Sequence, residues 1–176
     1  MRMCKEFMPL LIEAKGTIVQ TGSVAGLMPY AWGGPYNASK AALHAYSDTL
    51  RVEVAPLGVR VVNVVTGGVK SNIARTHRAL PPDSYCQPIA DDYESRLTHS
   101  QQVGMDTQQY AKSCVKQVLA GDGILSKQRW LWEGNMSWIV WFGWSYLPRA
   151  VFDWYFTSKY KLWKLRGTVG PDKKKV

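Results

Sequence analysis

The chain has 176 residues, 46% of them hydrophobic, which suits one domain with a substantial core. Its net charge of +9 is unevenly placed, with seven Lys and Arg against the single acid Asp172 from Lys159 onward, so anionic partners are expected. Three cysteines (Cys4, Cys86, Cys114) and three histidines (His44, His77, His99) show no ligand spacing, which argues against a metal site and a disulfide framework and favours a reducing compartment.

In chain order, Met1 to Leu11 carries Lys5 and Glu6 and no cleavage-like end, so it does not read as a signal peptide. Residues 2–14 have Met3, Phe7, Leu10, Leu11 and Ala14 at helical spacing, with Pro9 weakening the centre. Thr17 to Thr21 reads as a short strand closed by glycines. Ser23 sits just past its carboxyl end, where open α/β sheets bind ligands. A Gly/Pro-rich loop leads to a helix over 36–55, ended by Pro56-Leu-Gly58. That helix shows a small stripe (Ala38, Ala41, Ala42, Ala45, Thr49) and a larger one (Leu43, Tyr46, Leu50, Val54), a pattern that suggests burial on both sides. Val59 to Val65 is nearly all β-branched, as a buried parallel strand should be. The strand–helix–strand unit predicts an α/β, Rossmann-like parallel sheet. Residues 72–105 read as a long polar irregular segment, with Asp91, Asp92 and Glu94 on a solvated helix face. Asp106 with Gln109 predicts a capped helix to about Ala120, stopped by Gly121 and Gly123. Residues 128–132 can form a last strand.

Chemistry concentrates on Ser23, Tyr36 and Lys40. Tyr36 and Lys40 share one helix face, and Ser23 lies thirteen residues before Tyr36, within reach of a folded-back loop. A phenol with a pKa near about 10 gives up its proton poorly at neutral pH, and a lysine one turn away favours the phenolate. A serine hydroxyl can meanwhile hold a carbonyl or alcohol oxygen while the tyrosine moves the proton. The Tyr-x-x-x-Lys spacing alone is weak, for it recurs at Tyr155/Lys159 and Tyr160/Lys164 without the strand–glycine–serine context. A serine hydrolase is set aside because the nucleophile elbow needs glycines where Thr21 and Ala25 stand. The histidines read as ordinary surface or helix residues.

The wording Thr-Gly-Ser-Val-Ala-Gly followed by Tyr-Asn-Ala-Ser-Lys resembles the active-site segment of short-chain dehydrogenases/reductases over roughly residues 1–125. Within that family it is similar to the hydroxysteroid-dehydrogenase-like branch, and to the fungal 1-acyldihydroxyacetone-phosphate reductases most of all. The resemblance implies that Ser23, Tyr36 and Lys40 are catalytic, that the cofactor is NADP(H), and that Tyr36 and Lys40 also touch the cofactor. It implies further cofactor contacts at Gly67, Val69 and Ser71, although Thr66 replaces the proline usual there. It makes residues 72–105 the substrate loop, helix 36–55 a homodimer face, and a lipid-type carbonyl compound the substrate. No Gly-x-x-x-Gly-x-Gly or Gly-x-Gly-x-x-Gly turn occurs, so the resemblance implies the carboxyl-terminal part of a reductase without its nucleotide-binding half. A catalytically silent, membrane- or lipid-droplet-associated fragment is the alternative expectation.

Seven of the eight tryptophans lie between Trp130 and Trp163. Asn135 to Pro148 is fourteen residues without a charge, short of the roughly 20 that a spanning helix needs. An interfacial helix or shallow hairpin, with basic residues beside it, is expected to face a membrane rather than nucleic acid; the alternative is that these rings pack on the protein. The expected division is a reductase part over 1–127, an aromatic membrane-interface segment over 128–166 including Trp130 to Arg166, and a basic disordered tail over 167–176. The expected location is the cytoplasmic face of the endoplasmic reticulum or of lipid droplets, and otherwise the cytoplasm.

Overall fold

The computed structural model describes residues 1–71, 79–120, 129–166 and 168. The elements run α1 (Arg2–Glu13), β1 (Thr17–Thr21), α2 (Gly34–Val54), β2 (Arg60–Thr66), α3 (Ala90–Gln102), α4 (Thr107–Leu119), β3 (Trp130–Glu133), α5 (Ser137–Tyr146) and α6 (Ala150–Lys159). The strands form one parallel sheet in the order β1-β2-β3, with Ile18 beside Val61 and Val64 beside Leu131. Helix α2 is the crossover from β1 to β2, as a parallel pair requires.

The central strand explains the layering. Val61, Val62, Val64 and Val65 are all buried, and successive side chains alternate between the two faces. Val61 joins Ile18, Leu50, Val54 and Val59, covered by Cys4, Met8 and Leu11 of α1 and Tyr46 of α2. Val62 and Val64 join Leu131, covered by Tyr110, Cys114 and Val118 of α4. The sheet therefore lies between α1/α2 on one face and α4 on the other, and each buried valine contributes about 2 kcal/mol. Gly58, at φ 79°, makes the left-handed turn that returns the chain from α2 to β2.

Some expectations change in the folded chain. Helix α1 runs unbroken through Pro9, because the face carrying Cys4, Met8 and Leu11 is anchored on the core. Only the larger stripe of α2 is covered: Leu50 and Val54 are buried, while Ala38, Ala41, Ala42 and Ala45 face outward in the single chain. The segment expected to be irregular contains α3, with Asp91 and Asp92 in its first turn, where the helix dipole favours acids. Asp92 also accepts from Lys161 Nζ at 3.0 Å. Asp106 caps α4, its Oδ1 accepting from the amides of Gln108 and Gln109 at 3.0 and 3.1 Å. Residues 72–78, the expected stop at Gly121 and Gly123, and all of the 167–176 tail but Thr168 lie outside the described residues.

Candidate active site

Ser23 stands one residue past Gly22 at the carboxyl end of β1, buried and in extended backbone. Its Oγ accepts from the Ala25 amide at 3.2 Å and so caps the 3-10 turn Val24–Gly26. That bond uses a lone pair and leaves the hydroxyl proton for an incoming oxygen. The turn is pressed onto α2: a β-carbon on Gly26 would lie 2.9 Å from the backbone of Lys40 and Ala41.

One row of α2 meets this strand end, with Tyr36, Lys40, His44 and Asp48 at successive steps of four. Lys40 Nζ donates to the Thr21 carbonyl at 2.8 Å and lies 5.8 Å from the centroid of the Tyr36 ring. The lysine thereby ties the tyrosine's helix to the strand that ends in Ser23. Tyr36 is 39% exposed, so its phenol can be reached from outside. One turn further, His44 Nε2 accepts from the Ser23 amide at 3.1 Å. Asp48 Oδ1 accepts from Trp130 Nε1 at 3.0 Å, joining the row to β3. The His44 ring also packs on Trp130, their centroids 5.1 Å apart.

His44 corrects the reading of the histidines as ordinary surface or helix residues. It is helical but 3% exposed, and its hydrogen bond goes to the candidate serine. Burial holds its pKa below the ordinary 6.5; Asp48 opposes that shift and Lys40 adds to it. The signal was present in the sequence as the next step of the Tyr36–Lys40 row, but a search for metal-ligand spacing passes over it.

The neighbouring strand supplies the other wall. The Gly67 amide donates to the Glu133 carbonyl at 2.8 Å, and Gly68 exchanges two backbone bonds with Asn135 at 2.8 and 2.9 Å. A β-carbon on Gly67 would stand 2.2 Å from the Asn135 carbonyl oxygen, so only glycine fits there. Val69 bridges to Met105, while Lys70 accepts from the Thr107 hydroxyl. Gly67, Val69 and the exposed Ser71 thus follow β2 at the same edge of the sheet as Ser23. Thr66, where the resemblance expects proline, shares a 2.7 Å hydrogen bond with the Tyr110 hydroxyl. Burial pushes the Tyr110 phenol up to about 12 against the lowering effect of that bond. Glu133 accepts from Ser113 Oγ, from Gln117 Nε2 at 2.6 Å and from the Gly134 amide at 3.0 Å, fixing the end of β3.

An aromatic cluster braces the loop between Ser23 and Tyr36. Tyr30 meets Phe156 edge-on at 5.6 Å, and Trp32 meets Tyr93 and Tyr160 at 5.4 and 5.0 Å. Arg96 of α3 lies over the Tyr30 ring at 4.9 Å. Phe156 and Tyr160 are buried, so part of the aromatic tail is protein packing. Other rings face outward, Trp138 at 67% and Trp154 at 70% exposure. No described helix is long and apolar enough to cross a membrane, and no described group of His, Cys, Asp and Glu could hold a metal ion.

The short chain dehydrogenase family model matches residues 1–81. The short-chain dehydrogenase RED1 of Pyricularia oryzae is 39% identical over 175 residues, covering 97% of this chain and 60% of the relative. The NADPH-dependent 1-acyldihydroxyacetone phosphate reductase of Saccharomyces cerevisiae is 36% identical over 170 residues, 95% of this chain and 56% of that protein. Among solved structures, a short chain dehydrogenase from Burkholderia cenocepacia in complex with NADP aligns with a TM-score of 0.62 at 21% identity, over 88% of this chain and 52% of that one. The chain thus spans up to about 60% of the length of these curated relatives.

Proposed function

We propose that the chain, which matches the short chain dehydrogenase family model over residues 1–81 and is 39% identical to a fungal short-chain dehydrogenase, supplies the proton-transfer half of an NADP(H)-dependent ketone reduction at Ser23, Tyr36 and Lys40. The observation that carries this reading is Lys40 bound to Thr21 O at 2.8 Å while standing 5.8 Å from the Tyr36 ring. A cation there favours the charge that develops on the phenol oxygen as its proton leaves. The Ser23 hydroxyl donates to the ketone oxygen and orients it, and Tyr36 gives that oxygen its proton as it becomes an alcohol. A nicotinamide dinucleotide held beside Tyr36 and Lys40 would supply the hydride for the carbonyl carbon.

The residues present fit the nicotinamide end of such a cofactor. Lys40 has three N–H donors, and the Thr21 carbonyl engages one, which leaves two for ribose hydroxyls. Gly67, Val69 and Ser71 border the same edge. A glycine-rich phosphate cradle is not in this sequence, so NADPH is expected to bind this chain weakly.

A lipid-type ketone such as a 1-acyldihydroxyacetone phosphate is the substrate we favour. The reading is supported by the yeast relative and by outward rings that would keep an acyl chain's membrane close. The proposed location is accordingly a cytoplasm-facing membrane or lipid-droplet surface, with Trp138, Trp154 and the basic residues Lys159 to Arg166 against it. A homodimer through the outward small stripe of α2 is the proposed assembly. A silent fragment that keeps only the membrane property is favoured instead by the lack of the glycine-rich turn.

The test is NADPH oxidation with an acyl ketone phosphate presented in mixed micelles. Turnover abolished by Tyr36→Phe supports the reading, since the lost hydroxyl is the proton donor. Turnover that survives the substitution, or its absence from the unaltered chain, rejects it.

A further inference from the structure

We propose that His44 is a positioning residue for this site: its neutral imidazole holds the Ser23 amide, and its protonation releases the serine. The inference rests on the redox reading of Ser23, Tyr36 and Lys40 and adds a residue and an acid limit to it.

The geometry specifies the tautomer. Nε2 accepts from the Ser23 amide at 3.1 Å, so in the neutral ring the proton sits on Nδ1, which is buried without a partner. In the charged ring both nitrogens are donors, and an Nε2–H would face the amide N–H. The ring has little room to turn away from that clash. A β-carbon on Gly22 would lie 2.4 Å from Nε2, one on Gly26 would lie 3.0 Å from Cε1, and Trp130 packs on the ring at 5.1 Å.

The charged groups facing the imidazole come from its own helix, Lys40 one turn before it and Asp48 one turn after. Asp48 is already engaged by Trp130 Nε1 and lies 3.7 Å from Arg51 Nε. The groups brought to it by β1, β2, the 3-10 turn and β3 are Gly22, Ser23, Asn63, Gly26 and Trp130, none of them charged. Burial therefore dominates, and the neutral form is the one folded in.

Holding the amide also holds the hydroxyl. Ser23 is fixed at its nitrogen by His44 and at Oγ by the Ala25 amide, so its φ, ψ and side-chain direction are set together. Releasing the nitrogen frees the strand end from which the hydroxyl must aim at a substrate oxygen. An acid limit on turnover then belongs to His44, a residue that need not touch the substrate.

The test uses the full chain labelled with nitrogen-15, unaltered and as His44→Gln and His44→Leu. Gln keeps an acceptor that does not titrate; Leu removes the acceptor. The expected results are an Nδ1–H tautomer for His44 and a Ser23 amide resonance that moves with the imidazole titration. Ser23 amide exchange should be about tenfold faster in the Leu variant than in the Gln variant, the loss of one net hydrogen bond. In NADPH-dependent ketone reduction, kcat should fall about tenfold in the Leu variant with KM nearly unchanged, and Gln should restore it and remove the acid limit. An Nε2–H tautomer, or a Ser23 amide indifferent to His44's titration, overturns the proposal. An unaltered chain without turnover overturns only the redox reading, and the tautomer and exchange data then decide whether His44 holds Ser23.

Discussion

No side chain fits between Gly22 and His44: a β-carbon on the glycine would lie 2.4 Å from the imidazole Nε2 and 2.6 Å from Asn63 Oδ1. The glycine before the candidate serine is there for space, since two buried polar side chains, His44 and Asn63, converge on one point. Gly22→Ala is expected to push His44 off the Ser23 amide and to destabilise the fold by about 1–3 kcal/mol, as overpacking does. Urea unfolding measures the loss, and a midpoint equal to that of the unaltered chain would show that the strand end yields easily.

His44 also makes stability depend on pH. Its folded pKa is lowered below the ordinary 6.5, so the unfolded chain binds the proton more readily. Its contribution is therefore fully present above 6.5 and is lost as pH falls from there through the folded value. The slope from this one group approaches about 1.4 kcal/mol per pH unit at most. Unfolding free energies between about pH 5 and 6.5 should fall in the unaltered chain and less in His44→Gln. Parallel curves would mean that His44 titrates alike in both states.

Tyr110 and Thr66 offer a separate check on the second wall. Tyr110→Phe removes their 2.7 Å hydrogen bond and should cost about 1 kcal/mol, while the ring stays packed on Val62 and Val64. Ultraviolet titration should lose one phenol ionising at about 12. A variant that keeps every high-pH ionisation step would place that phenol elsewhere.

The membrane proposal is tested by surface substitutions, because deleting everything from Trp130 would remove β3 from the sheet. Trp138 and Trp154 are 67% and 70% exposed, so replacing both with Ala should leave the core intact. Each ring entering the interface gains roughly 25 cal/mol per Å² buried, and each nearby cation adds about 1 kcal/mol at an anionic surface. Flotation with anionic liposomes should weaken in the double variant and weaken further at high salt. Undiminished flotation of the double variant would assign binding to the lysines alone.

Much of the fold and site is legible along the chain because it depends on near neighbours. A nearly continuous run of β-branched residues over Val59 to Val65 marks a strand buried on both faces. A step of four places Tyr36 and Lys40 on one helix face whatever surrounds them, and a glycine-flanked strand puts Ser23 at its end. The helix α3 within 72–105 is hard to read from sequence because its polar stretch has little apolar periodicity, while its Tyr93 is buried edge-on to Trp32 of the loop before α2.

The sequence by itself determined the local chemistry: a strand–glycine–serine turn, a Tyr-x-x-x-Lys helix, a buried parallel strand and a tail rich in tryptophan. Only the tertiary structure decided which polar groups meet and which rings are covered. His44 became the acceptor for Ser23 because the turn after β1 is pressed against α2, a contact between residues 21 positions apart. Phe156 and Tyr160 were drawn inward by Tyr30 and Trp32, more than a hundred residues earlier, while Trp138 and Trp154 were left outside. Apolar character is a property of a residue, but burial is a property of what the rest of the chain brings to it.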